Sequence, residues 1–137
     1  RPDSGRRAGL YKEDEGVFRV NGMQIMMTAG DTGLLAVIPD EEGYVPTAED
    51  RAVFTVREKP GRRAVIEKIV TPEDDGTVLV VFATEDTEKL REREYGWDIR
   101  YALEAETDGE GRIIGWRELI TPMMVGTLVV QSAMGEV

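Results

Sequence analysis

Four runs of acidic side chains are the most reactive groups in this sequence: Glu41-Glu42, Glu49-Asp50, Glu73-Asp74-Asp75 and Glu85-Asp86. Acid/base catalysis by carboxylates needs two of them to converge with their pKa values pushed apart, so that one holds a proton while the other takes it. All four runs fall between apolar stretches, in segments that read as turns, where Asp and Glu serve as solvated or capping residues. The triplet Asp31-Thr32-Gly33 has the D-T-G form of aspartic proteases, in which two loop aspartates share a proton. The second aspartate would have to come from a second copy of the chain, whereas an Asp31 that bonds its own turn accounts for the triplet alone. Asp74, Asp75, Asp108 and Glu110 are oxygen donors of the kind calcium takes, but Asp108-Gly109-Glu110 lacks the further ligands of a complete calcium loop. Trp97 with Tyr95 or Tyr101 would suit a sugar ring, except that Ile99 and Leu103 share their strand face, which marks it as core. Trp116 alternates out of phase with Ile113, Gly115 and Leu119 and is the better candidate for an exposed aromatic.

Histidine and cysteine are both absent from the sequence. That removes the commonest general base near neutral pH, the commonest metal ligand, the thiolate zinc site and the cysteine nucleophile. We therefore assign no catalytic, cofactor-binding or metal-binding residue, and the expectation is a protein that is not an enzyme and carries no cofactor. The 27 acidic side chains outnumber the 17 basic ones, for a formal charge of −10. Such a balance disfavours nucleic acid, whose phosphates must be neutralised by clustered Lys and Arg, and an anionic membrane surface for the same reason. The apolar runs are also shorter than the roughly 20 residues a spanning helix needs.

The elements that must position these residues are strands. Thr77 to Ala83 (T-V-L-V-V-F-A) is a β-branched and apolar run that reads as a strand buried on both faces. From Tyr95 onward a period of two sustained over eleven residues places Tyr95, Trp97, Ile99, Tyr101, Leu103 and Ala105 on one face and Asp98, Arg100, Glu104 and Glu106 on the other. Between these strands, residues 85–91 should form one short helical turn, with Leu90 beneath it and Thr84 or Asp86 accepting from its free N–H groups. Earlier in the chain, Asn21-Gly22 suits the centre of a type I′ hairpin turn between strands over 17–20 and 23–28. Strands follow over 34–39, 51–58 (with Ala52, Phe54 and Val56 on one face), 64–70, 112–121 and 126–131. Val70-Thr71-Pro72 and Gly76-Thr77-Val78-Leu79-Val80 are echoed by Ile120-Thr121-Pro122 and Gly126-Thr127-Leu128-Val129-Val130, which reads as two similar corners rather than a duplication. No window carries a helical period. About eight short strands joined by hairpin turns predict an all-β, antiparallel, immunoglobulin-like sandwich.

The domain boundaries follow composition. Residues 1–15 are dense in charge and turn formers and read as a flexible arm; residues 16–137 read as one β-sandwich domain, since a 137-residue chain can bury roughly two-thirds of its unfolded surface in one core.

The order of several motifs carries a family resemblance. Gly30-Asp31-Thr32 after an opening strand, Val53-Phe54-Thr55-Val56-Arg57, Ile66-Glu67-Lys68-Ile69, and then Glu85-Asp86-Thr87 with Leu90 and Tyr95-Gly96-Trp97-Asp98-Ile99 resemble small phage and prophage tail proteins. The likeness is to the N-terminal domain of the phage baseplate upper protein and its stand-alone relatives, over about residues 23–131. Arg91 to Glu94 is one residue longer than that pattern, and Trp97 stands where tyrosine is common. The resemblance implies an immunoglobulin-like fold and a structural role in a virion tail or baseplate. It implies other phage structural proteins, or further copies of the chain, as partners, and a place in the virion or in the host cytoplasm during assembly. The alternative from another class is a carbohydrate- or calcium-dependent binding module.

Overall fold

Short strands separated by polar turns dominate the chain, as alternation of period two demands. The computed structural model describes residues 18–40, 42–122 and 125–131; the expected arm over 1–15 lies outside them. In chain order the elements are β1 (Arg19–Asn21), β2 (Gln24–Thr28), β3 (Gly33–Val37), β4 (Arg51–Arg57), β5 (Ile66–Val70), β6 (Val78–Phe82), α1 (Thr84–Thr87), β7 (Arg93–Leu103), β8 (Glu106–Thr107), β9 (Ile113–Gly115), β10 (Glu118–Ile120) and β11 (Gly126–Gln131). The larger sheet runs β1-β2-β11-β7-β4-β5, with β10 also paired to β7. Opposite it, β3 and β6 form a two-stranded antiparallel sheet, and β8 and β9 form a separate small hairpin. The fold is an all-β sandwich.

The core lies between the larger sheet and the β3–β6 pair. Phe54 of β4 packs edge-on against Phe82 of β6 at 5.5 Å between ring centroids, and its ring lies tilted at 31° to that of Trp97 of β7 at 5.4 Å. Ile25, Met27, Val80, Ile99, Leu128 and Val130 are wholly or almost wholly removed from water around them, each stabilising the fold by about 1.5–3 kcal/mol before entropy is counted. Phe18 closes one end, its ring 5.6 Å from that of Phe82.

Several expectations are corrected by this arrangement. β6 is buried on one face only: Val78, Val80 and Phe82 are interior, but Val81 is 60% exposed. The apolar run was compatible with two covering layers, yet β6 sits in an outer sheet with a single layer beneath it. The sheets are not wholly antiparallel, because β11 lies parallel to β2 from Thr127 opposite Gln24 to Gln131 opposite Thr28. The first hairpin is shifted by one residue: Asn21 pairs with Gln24, so Gly22 and Met23 are the central turn residues, and only Gly22 needs positive φ (63°). The strand expected over 112–121 is broken at Trp116 and Arg117, where the chain leaves β8 and joins β7. β7 stops at Leu103 because Glu104 adopts a left-handed φ of 49°, which ends the alternation before Ala105. The helical turn is the four residues of α1.

Candidate functional site

The corner between β6 and β7 uses its polar groups on itself. Asp86 accepts the Ala83 N–H at 2.8 Å, satisfying a free donor at the helix start, and also accepts from Lys68 Nζ at 2.6 Å. Burial pushes the Asp86 carboxyl up, but Lys68 and the Ala83 N–H outweigh it and hold its pKa below the ordinary carboxylate value. Thr87, fully buried, donates from Oγ1 to the Asp31 carbonyl at 2.7 Å. The D-T-G turn and the E-D-T corner, 56 residues apart, therefore meet through a structural hydrogen bond. Leu90 is buried below them, and Tyr95 Oη accepts the Arg91 N–H at 2.9 Å.

Asp50 departs from the solvated-turn reading. It is only 1% exposed. Its Oδ2 accepts from Tyr44 Oη at 2.6 Å and the Thr47 N–H at 2.8 Å, and its Oδ1 accepts the Glu104 N–H at 3.0 Å. The carboxylate thus ties the loop before β4 to the left-handed corner after β7. Burial raises its pKa, while the bonds from Tyr44, Glu104 and Thr47 prevail and leave it below the ordinary value. The Tyr44 phenol, desolvated and bonded to that carboxylate, is pushed up to about 12. The local signal was Thr47-x-x-Asp50, in which the Asp50 N–H also donates back to the Thr47 carbonyl; the tertiary donor on Glu104 had no local signal.

The remaining acidic candidates stay in their own turns. Glu42, Glu49, Glu73, Asp74, Asp75 and Glu85 are exposed, and Glu41 lies outside the described residues. Asp75 accepts the Thr77 N–H at 3.0 Å, and Asp108 accepts the N–H groups of Glu110 and Arg112 at 2.8 and 2.9 Å. Among the described residues no three of Asp, Glu, His or Cys come together as metal donors. Trp97 is in the core, 3% exposed, its Nε1–H shared between the Met23 and Thr127 carbonyls at 3.1 Å each, so Tyr95, Trp97 and Tyr101 form no sugar platform. Trp116 is half exposed, as its phase predicts, beside an exposed Ile114. No protein-family model, curated protein or solved structure matches this chain.

Two surfaces remain as candidates. The first is the outer face of the β3–β6 pair. There Leu34 lies opposite Val81 and Ala36 opposite Leu79, and Ile38 continues the row. Leu34, Ile38 and Val81 are 56, 74 and 60% exposed. Among the described residues β3 pairs with β6 alone, and Gly33–Val37 carries no charge or proline to guard its open edge. The second surface is a groove of about 660 Å³ on the outer face of the larger sheet, floored by Thr55, Gly96 and Asp98 and walled by the 58–62 turn and Val125. Thr55 Oγ1 donates to Asp98 Oδ1 at 2.5 Å, and Arg57 Nη1 donates to Thr55 Oγ1 at 2.8 Å. Sequence reading missed both surfaces, because each is made by side chains from strands distant in the chain.

Proposed function

We propose that this chain is a non-enzymatic assembly module of a phage or prophage tail, an immunoglobulin-like sandwich that seats another structural subunit against the outer face of β3 and β6. The observation that carries the docking role is that apolar row: Leu34, Ile38 and Val81 are exposed, on a strand pair whose β3 edge is unpaired among the described residues. Contiguous exposed apolar surface of this kind is a common mark of a protein interface. An incoming subunit could cover the row and extend the sheet by bonding to the open backbone of β3. The tail assignment is supported by the ordered motifs from Gly30 to Ile99, whose aspartates and aromatics act here as structural joints, a use that suits an assembly part.

The test is to purify tail particles from an induced lysogen and look for the chain by mass spectrometry, with parent and Leu34→Lys/Val81→Lys versions compared. The chain is expected in the particle in fixed proportion to other tail proteins, with the double variant folded but left out. Particles that form without the chain, together with neighbouring genes of a metabolic kind, would end the tail reading. A double variant that is incorporated normally would end the assignment of this face.

A further inference from the structure

We propose that the groove over Gly96 and Arg57 is a binding site for an acidic peptide segment, held by its Asp or Glu carboxylates. This inference is independent of the tail reading and of the β3–β6 face.

Arg57 lines this groove. Its Nε–H donates to the Arg62 carbonyl at 2.8 Å and its Nη1 to Thr55 Oγ1 at 2.8 Å, so the guanidinium is held in place from two sides. A guanidinium has five N–H donors in a fixed fork, and Nη2 donates to nothing among the described residues. Asp98 does not consume that capacity: its Oδ1 takes the Thr55 hydroxyl, and its Oδ2 is 4.0 Å from Arg57 Nη1. The fork is thus oriented in advance and partly unspent, a geometry that suits a carboxylate.

The surroundings select the same chemistry. Lys59, Arg62 and Arg100 also line the groove, and none has an acidic partner within ion-pair distance among the described residues. Of the three acidic lining residues, Glu58 is paired with Arg93 at 3.5 Å and Asp98 lies 4.0 Å from Arg57, so the four cations still exceed the acids that face them. This is a local positive balance on a chain whose formal charge is −10. The overall charge repels an extended polyanion such as nucleic acid, whereas a short acidic segment meets mainly the local field. Space is available too. Gly96 lies opposite Arg57 in the sheet register, and a Cβ there would meet only Val125 Cγ1 at 3.7 Å and the Gly126 carbonyl at 3.9 Å. A volume of about 660 Å³ is of the size that holds a few residues rather than a lone ion. The occupant we assign is a segment of a partner protein.

Isothermal titration of the full chain with a capped oligoglutamate peptide tests this, with the oligoglutamine peptide as control. Oligoglutamate is expected to bind, more weakly as salt rises, and oligoglutamine not to bind. Lys59→Glu/Arg100→Glu should weaken binding by about tenfold or more. Gly96→Val, which fills the groove with the charge unchanged, should abolish binding while the urea midpoint shows both variants folded. Equal binding of the two peptides, or undiminished binding by Gly96→Val, would overturn the site. Displacement of the peptide by inorganic phosphate as readily as by free oligoglutamate would reduce it to a simple anion site. Self-association in light scattering that is lost in Lys59→Glu/Arg100→Glu would overturn the assignment of a partner protein in favour of a second copy.

Discussion

On β3 and β6 the side chains pointing away from the core are Leu34, Ala36, Leu79 and Val81; on β4 and β7 those in the same position are Val53, Thr55, Arg57, Asp98 and Arg100. Both faces are the outside of a sheet, and both obey the same alternation. One is apolar along its length, and the other is a polar network with hydrogen bonds at 2.5 and 2.8 Å. Alternation decides which residues enter the core, but it does not oblige the others to be polar. An outer row that stays apolar gains nothing from water, and that contrast between the two faces is the basis for proposing a docking role for the β3–β6 face.

The widest test of the contrast uses two adjacent leucines. Leu35→Ala, 4% exposed, should cost about 2–5 kcal/mol in urea unfolding, and Leu34→Ala, 56% exposed, no more than about 0.5 kcal/mol. An equal cost at both would mean that the outer face of β3 is covered within the monomer. A second pair compares the inside and outside of β7 and its neighbour. A Cβ on Gly126 would lie 2.4 Å from the Met23 carbonyl and 2.5 Å from the Trp97 ring, so Gly126→Ala should lose about 1–3 kcal/mol. Gly96→Ala, facing the open groove, should leave the urea midpoint almost unmoved.

The joint around Asp50 sharpens the comparison by showing what a buried charge requires. Asp50→Asn should cost about 1–3 kcal/mol, since an amide cannot accept from the Tyr44, Thr47 and Glu104 donors together. The pH dependence has a definite sign at each end. Asp50 has a folded pKa below its ordinary 3.8, so the stability it contributes is complete above that value and falls away as pH drops through the folded one. Tyr44 is raised from 10.0 to about 12, so its contribution is complete below pH 10 and is lost as pH climbs toward 12. Tyr44→Phe should flatten the alkaline limb of a melting-temperature profile and also shrink the acid limb, because the Tyr44 hydroxyl is the foremost of the bonds that hold the Asp50 carboxyl down. The smallest effect belongs to the rim of the polar face: Glu58→Gln, which breaks the ion pair with Arg93 at 3.5 Å, should change stability by about 0.2–1 kcal/mol and by less in high salt.

The core faces of β4 and β7 could be read from the sequence, since Ala52, Phe54, Val56, Tyr95, Trp97 and Ile99 are interior as their period predicts. So could the all-β class and the role of Leu90. What could not be read is which strand meets which. The two echoed corners show the reason. After Val70-Thr71-Pro72 the chain leaves β5 in the larger sheet and enters β6 in the smaller one, whereas after Ile120-Thr121-Pro122 it remains beside β7, passing from β10 to β11. Gly76 is needed there for its φ of 89°, Gly126 for the closeness of the Trp97 ring. Similar residues thus serve different geometries, because the neighbours that decide between them are distant in sequence. The Asp50 joint escaped for the same cause, its donor on Glu104 lying 54 residues away.

The parallel pairing of β2 with β11 has a consequence for synthesis. Residues 24–28 bond to residues 127–131, so β2 has no central-sheet partner among the described strands until β11 has left the ribosome. Closing so long a loop costs entropy before any contact repays it. The larger sheet must therefore be completed after translation of β11, and through that interval Ile25 and Met27 need shelter from chaperones or from transient collapse.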